Sequence, residues 1–172
     1  MKMTLTQQAL KFAAKKHQGQ ERRESGLPYI IHPVSVAFFL IEYKGNSHEA
    51  DVLITASILH DTWEDTNTTI DEIASIFGHP VASLVLELSS DEKEIKRLGK
   101  NPYLIKKMIT MSSWALVIKL CDRLSNVSDS PKEQYIEDTK AMVSELRAKR
   151  NLSGTHSRIL ESIEEIVHQE LS

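Results

Sequence analysis

Three separated segments of this chain carry the side chains best suited to chemistry: PYIIHP, ILHDTWED and IKLCDRLSN. They supply two imidazoles, His32 and His60, and two carboxylates, Asp61 and Asp122. Such a set could close around one divalent cation. Neutral nitrogen combined with hard anionic oxygen suits a borderline ion such as Mn, Fe, Co or Zn better than Ca. Glu64 and Asp65 follow the His60-Asp61 pair by one helical turn and would remain to handle water and protons. A cation with an acid/base partner is the equipment of a hydrolase.

Each segment also has an ordinary reading. An isolated His-Asp pair is usually a helix end beside a surface carboxylate. Here it ends the apolar stretch ADVLITASIL, at the rim of a core, and Glu64 and Asp65 follow within the same six residues. Such a cluster must be paired, solvated or metal-bound. Adjacent helical residues diverge by about 100°, so His60 and Asp61 reach one ion only at a bend or an edge. If the helix continues, Glu64 stacks above His60 and Asp65 above Asp61; Thr62-Trp63 could instead mark an irregular turn. His32 precedes Pro33, which biases it toward extended backbone at a helix start. Asp122 follows the apolar run ALVIKLC, with Asn126 at i+4. Asp is unfavourable inside a helix, and its ordinary alternative is a surface charge cluster with Arg123.

The elements that must position these residues read as helices. Apolar residues recur at three- to four-residue spacing, and no strand pattern with hairpin turn residues is evident. The spacing predicts helices over 5–17, 33–44, 48–61, 69–77, 79–88, 101–111, 113–127, 131–149 and 155–170. Asn46 with Glu49, and Thr69 with Glu72, read as N-caps with a carboxylate at N3. Ser130-Pro131 with Glu133 adds proline at a first helical position, and Gly78 reads as a helix stop. The segment from Gly19 to Pro28 reads as an ordered loop, and 89–100 as irregular. Phe38, Phe39 and Leu40 read as a buried helix face, and Trp63 and Trp114 as core or pocket wall. The stretch from Lys140 to Arg150 reads as a solvated face. His17, His48, His79, His156 and His168 lack an acidic neighbourhood and read as surface or packing residues. The expectation is an all-α single domain over residues 1–172.

Composition narrows the function classes. The 172 residues are 41% hydrophobic and 26% charged, as in an ordinary soluble domain. A net charge of −3 argues against a general nucleic-acid binder. A local cluster such as Lys15, Lys16, Arg22 and Arg23 can still serve a small anionic substrate. Cys121 is the single cysteine, so no disulfide framework is expected. No apolar run approaches a membrane span, and no signal-peptide pattern opens the chain. A cytoplasmic protein is the expectation.

In order, HQGQERR, SGLPYIIHP, ILHDTWEDT and IKLCDRLSN resemble the HD hydrolase domain of the RelA/SpoT stringent-response enzymes, and above all the stand-alone small alarmone hydrolases. The resemblance covers roughly residues 5–170, and four blocks in order are far more specific than any one. It implies a single HD-domain helical bundle that hydrolyses the 3′-pyrophosphate of guanosine tetra- or pentaphosphate, giving GDP or GTP and pyrophosphate. It implies Mn²⁺, with another divalent transition metal as the alternative. Position by position, His32, His60, Asp61 and Asp122 match the metal ligands. Glu64 and Asp65 match the acidic pair that activates and orients water. Arg22 and Arg23 match the basic pair at the nucleotide pocket, and Asn126 a polar residue near ribose and base. Lys93 and Lys119 are further candidates for phosphate contacts. The expected partner is a small nucleotide, with no nucleic-acid polymer and no membrane.

The chain departs from that pattern at three places. Arg23 stands where the family has Lys, and the two are not interchangeable at a stacked or bidentate site. The loop Glu24-Ser25-Gly26 is one residue longer than Arg-Lys-Ser-Gly in the long enzymes. Ser125 replaces their usual His. A chain of 172 residues has no room for their synthetase and regulatory domains, so hydrolysis without synthesis is expected. Two other readings compete. One is an HD phosphohydrolase for another nucleotide, of the ppApp or NADPH type. The other is a non-catalytic alarmone-binding module, against which the full set of ligands and acids argues.

Overall fold

The computed structural model describes residues 3–23, 25–129 and 131–169; Glu24 and Ser130, named above for the loop and for a cap, lie outside them. The protein is all-α, as expected. The chain divides into two compact units, Met1–Ser89 and Ser90–Ser172.

The first unit holds α1 (Leu5–Lys16), α2 (Ile31–Lys44), α3 (Ala50–Leu59), α4 (Thr62–Asp65), α5 (Ile70–Phe77) and α6 (His79–Leu88). Helix α3 is its centre, packed by α1, α2 and α6. Past the exposed Asp51 its sequence is mostly apolar, and Leu53, Ala56, Ile58 and Leu59 are buried together with Thr55 and Ser57. A helix with so little polar surface belongs inside. Helix α1 starts at a capping box between Thr4 and Gln7. Phe12 of α1 meets Phe77 of α5 edge to face at 5.4 Å, and Lys16 pairs with Glu72 at 3.0 Å.

The second unit holds α7 (Glu92–Leu98), α8 (Lys100–Thr110), α9 (Ser113–Val127), α10 (Glu133–Lys149) and α11 (Gly154–Gln169). Helix α9 packs on α11, and α10 packs on α8 and α11. Buried His156 is a structural link: its Nδ1 accepts from the Ser153 N–H at 3.1 Å, so its Nε2 carries the proton donated to the Ser113 carbonyl at 3.0 Å.

Several expectations need correction. Residues 92–98 form a helix where an irregular stretch was expected: Asp91 caps it by accepting from Lys93 and Glu94 N–H groups, and Gly99, at φ 85°, ends it. Helix α3 begins at Ala50 without a side-chain cap, so Asn46 does not cap it. The Thr69 cap holds, accepting from Glu72 N–H at 3.1 Å, and so does the stop at Gly78, with φ 89°. Phe38 is 67% exposed while Leu40 is fully buried; consecutive helical residues point about 100° apart and cannot share one face. Trp63 and Trp114 are 37% and 42% exposed, so neither is core. In the stretch 140–150, Met142, Val143 and Leu146 are buried, and the Arg150 guanidinium caps the end of α8 by donating to the carbonyls of Met108, Ile109 and Met111.

Candidate metal centre

The predicted helix over 48–61 breaks at the residues that matter. Helix α3 ends at Leu59, His60 is its C-cap, and Asp61 is the N-cap of the one-turn helix α4. The Thr62 hydroxyl donates to the Leu59 carbonyl at 2.6 Å and steadies the break. The break brings two adjacent side chains to one point: His60 Nε2 lies 3.0 Å from Asp61 Oδ2. His32, near the start of α2, reaches the same oxygen, with its Nε2 at 3.8 Å. The two imidazoles each offer a nitrogen within 4.8 Å of the other.

The His60 tautomer follows from its surroundings. Its Nδ1 lies 2.7 Å from the Ser57 carbonyl oxygen, which can only accept. Nδ1 therefore carries a proton, and Nε2 is the nitrogen turned toward Asp61. A ligating imidazole is oriented in just this way by a hydrogen bond from its other nitrogen. Both histidines are buried, and the chemistry of His32, His60 and Asp61 fits a divalent transition metal.

Around Asp61 the loop after α1 is closed by its own backbone. Arg22 N–H donates to the Leu27 carbonyl, Gly26 N–H to that of Arg22, and Tyr29 N–H to that of Gln20. Arg22 is half-buried and Arg23 exposed on this loop. The Tyr29 hydroxyl donates to Asp61 Oδ2 at 2.5 Å. Asp65 N–H bonds back to the Asp61 carbonyl, so Asp65 sits one turn beyond Asp61 as expected. Glu64 is exposed beside it on α4.

The Asp65 carboxyl is held above its ordinary pKa, first because it is partly withdrawn from water and next because Asp61 stands close by. The Tyr29 hydrogen bond and the nearby His17 and His60 pull it the other way. A raised value makes Asp65 a better proton acceptor once ionised. It also means that this group's contribution favours folding below the unfolded carboxylate pKa, and is lost as pH rises through the folded value. Metal-free Asp65→Asn is therefore expected to melt at neutral pH no lower than the wild type. Its advantage should shrink as pH falls through the carboxylate range. Thermal melts across pH would check both.

In the second unit, Asp122 lies on α9 and is buried. Lys119 Nζ donates to its Oδ2 at 2.8 Å, and Asn126 Nδ2 to its Oδ1 at 2.7 Å. Asp122 is a further candidate ligand for a metal ion. The surface cluster with Arg123 is not formed. Arg123 is buried, donates to Thr139 Oγ1 at 3.2 Å and stacks on the Tyr135 ring at 4.4 Å. Asp122, Lys119, Asn126, Lys100, Arg123 and Tyr135 line a recess of about 300 Å³ within this unit. Lys93 is exposed on α7, its N–H bound to Asp91 Oδ1.

The sequence reading passed over Tyr29, Gln20, Lys100 and Tyr135. A tyrosine three residues before His32, in the same PYIIHP block, was the available signal for the first. For Lys100 and Tyr135 no local pattern distinguishes them from other surface residues.

A buried pair of imidazoles with a carboxylate at a helix break is a donor set that could hold a divalent metal ion. The chain belongs to the HD domain family, whose model matches residues 9–149, and it is a metal-dependent phosphohydrolase of the alarmone-hydrolase group within it. It is 34% identical to the guanosine-3′,5′-bis(diphosphate) 3′-pyrophosphohydrolase MESH1 of Homo sapiens, over 94% of this chain and 92% of that protein. It is 43% identical to the guanosine-3′,5′-bis(diphosphate) 3′-pyrophosphohydrolase of Aquifex aeolicus, over 70% of this chain and 17% of that longer protein. A solved structure of a metazoan orthologue of SpoT, described as hydrolysing ppGpp, superposes with a TM-score of 0.82 at 28% identity, covering 98% of this chain and 97% of the other. Among the described residues, no helix is long and apolar enough to cross a membrane.

Proposed function

We propose that this protein hydrolyses the 3′-pyrophosphate of guanosine tetra- and pentaphosphate in a Mn²⁺-dependent reaction, releasing GDP or GTP and pyrophosphate. The observation that carries the reading is the meeting of His32 Nε2, His60 Nε2 and Asp61 Oδ2 at one point of the first unit. The names of its full-length relatives support the substrate. The whole chain acts as one HD-type domain in this reading.

His32, His60, Asp61 and Asp122 would hold the metal. A bound divalent ion supplies a Lewis acid and lowers the pKa of water toward neutrality. Glu64, helped by Asp65, orients the attacking water and takes its proton. Water adds to the phosphorus attached to the 3′ oxygen, that P–O bond breaks, and the 3′ oxygen leaves with a proton. Arg22 and Arg23 neutralise phosphate charge or stack on guanine. Asn126 contacts ribose or base, and Lys119 and Lys93 contact phosphate. Lys119 and Asn126 already grip the Asp122 carboxylate, which lets them orient a ligand and meet a nucleotide from one wall.

The test is a substrate comparison. Wild-type protein should turn over guanosine tetraphosphate in preference to its adenosine counterpart and to NADPH. The double variant Arg22→Ala/Arg23→Ala should lose that preference, with a higher KM for the guanosine nucleotide. An equal loss for all three nucleotides would assign the arginines to phosphate alone. Turnover of another nucleotide only would replace the substrate while keeping the hydrolase.

A further inference from the structure

We propose that Tyr29 is a positioning residue for the metal ligand Asp61, and that His17 and Gln20 are the support that holds Tyr29 and Asp65 in register with it. The inference rests on the metal reading above.

The Asp61 oxygen that faces the imidazoles is the one that Tyr29 holds. Oδ2 lies 3.0 Å from His60 Nε2 and 3.8 Å from His32 Nε2, and the phenol donates to that same atom at 2.5 Å. The terminal torsion of an aspartate is broad and roughly two-fold, so an unheld carboxylate could present either oxygen or turn away. The phenol fixes which oxygen is presented and in what direction. Tyr29 also hydrogen-bonds Asp65. Tyr29 thus meets both carboxyls of the Asp61–Asp65 turn.

Tyr29 is itself fixed by a directional chain. Gln20 Nε2 lies 2.7 Å from the Asp65 carbonyl oxygen, which only accepts, so the amide NH₂ must point there. Gln20 Oε1 then faces His17 Nδ1 at 2.7 Å. That amide oxygen also only accepts, so Nδ1 carries the proton. Neither the amide flip nor the tautomer is left open. His17 Nε2 is buried with no hydrogen-bond partner among the described residues. The His17 ring packs on Tyr29 with centroids 4.8 Å apart, and the Tyr29 N–H is bound to the Gln20 carbonyl at 2.9 Å. His17, expected to be a surface or packing residue, is packing with a purpose: residues 17, 20 and 29 tie the loop after α1 to both ends of the Asp61–Asp65 turn.

Partners that hydrogen-bond a metal ligand are typically worth about 10–100-fold in metal affinity. Calorimetric titration of metal-free protein with Mn²⁺ should therefore give a Kd about 10–100-fold weaker for Tyr29→Phe than for the wild type. The metal-free melting temperature should stay close to that of the wild type. At saturating Mn²⁺, kcat should fall while KM for guanosine tetraphosphate stays within about twofold. A Tyr29→Phe protein with wild-type Mn²⁺ affinity would overturn the role while leaving the metal reading intact. A wild-type protein that takes up no Mn²⁺ would overturn both. If Tyr29→Phe does not fold, Gln20→Leu decides: it removes the chain to Asp65 and His17, and unchanged Mn²⁺ affinity in that variant would overturn the proposal.

Discussion

Asp61→Ala is expected to release the metal and abolish activity together. Asp61 Oδ2 is the atom on which the first unit's site converges: both imidazoles and the Tyr29 hydroxyl point to it. Its removal takes away the only anion among those contacts and leaves two buried imidazoles facing one another, with ring centroids 5.4 Å apart. Of the proposed ligands only Asp122 would then offset the cation's charge. The loss of Mn²⁺ affinity should therefore exceed the roughly 10–100-fold expected when only a hydrogen-bond partner of a ligand is lost. Metal analysis and nucleotide turnover on the same preparation would check this. One Mn²⁺ per chain at wild-type affinity would remove Asp61 from the ligand set.

Glu64→Gln should separate binding from chemistry. Glu64 is exposed on the single turn of α4, outside the buried imidazole pair, so its replacement leaves His32, His60 and Asp61 in place. The amide keeps the shape and loses the ability to take a proton. Metal content should stay at the wild-type level, while kcat drops by about two to four orders of magnitude, the usual weight of general acid–base catalysis. Wild-type kcat would move the proton-accepting role to Asp65, whose raised pKa suits it to that task. A loss of metal along with activity would mean that Glu64 is itself a ligand.

The two predictions depend on a local feature that the sequence showed only in part. The four ordered blocks were enough for the fold class and the family. Helices α1, α5, α6 and α9 fall within a residue of their expected bounds, because their apolar spacing and their caps at Thr69, Gly78 and Ser113's predecessor Ser112 agree. The need for a bend at His60-Asp61 could be stated from helical geometry. Its form, a helix end followed at once by a new one-turn helix, depends on Thr62 closing back on Leu59, and propensity does not encode that closure.

Helix α7 was hidden by its own composition. Its residues are mostly charged and offer no apolar stripe, so the cap at Asp91 and the stop at Gly99 carried the only signal. Phe38 departs from the expectation because a hydrophobic residue in a hydrophobic run need not be buried; exposed large apolar residues are common on folded proteins. His17 and Tyr29 were passed over for a different reason. Their part in the site comes from contacts across 32 to 45 residues of chain, Tyr29 to Asp61 and Gln20 to Asp65, and a linear pattern records none of them.

The most direct test of the central claim is to strip the protein of metal, add guanosine tetraphosphate, and restore Mn²⁺ stepwise while separating the nucleotide products. The expected result is GDP and pyrophosphate in equal amounts, at a rate that rises with Mn²⁺ and saturates near one ion per chain. Untouched nucleotide at full Mn²⁺ occupancy, or hydrolysis that proceeds equally well without metal, would contradict it.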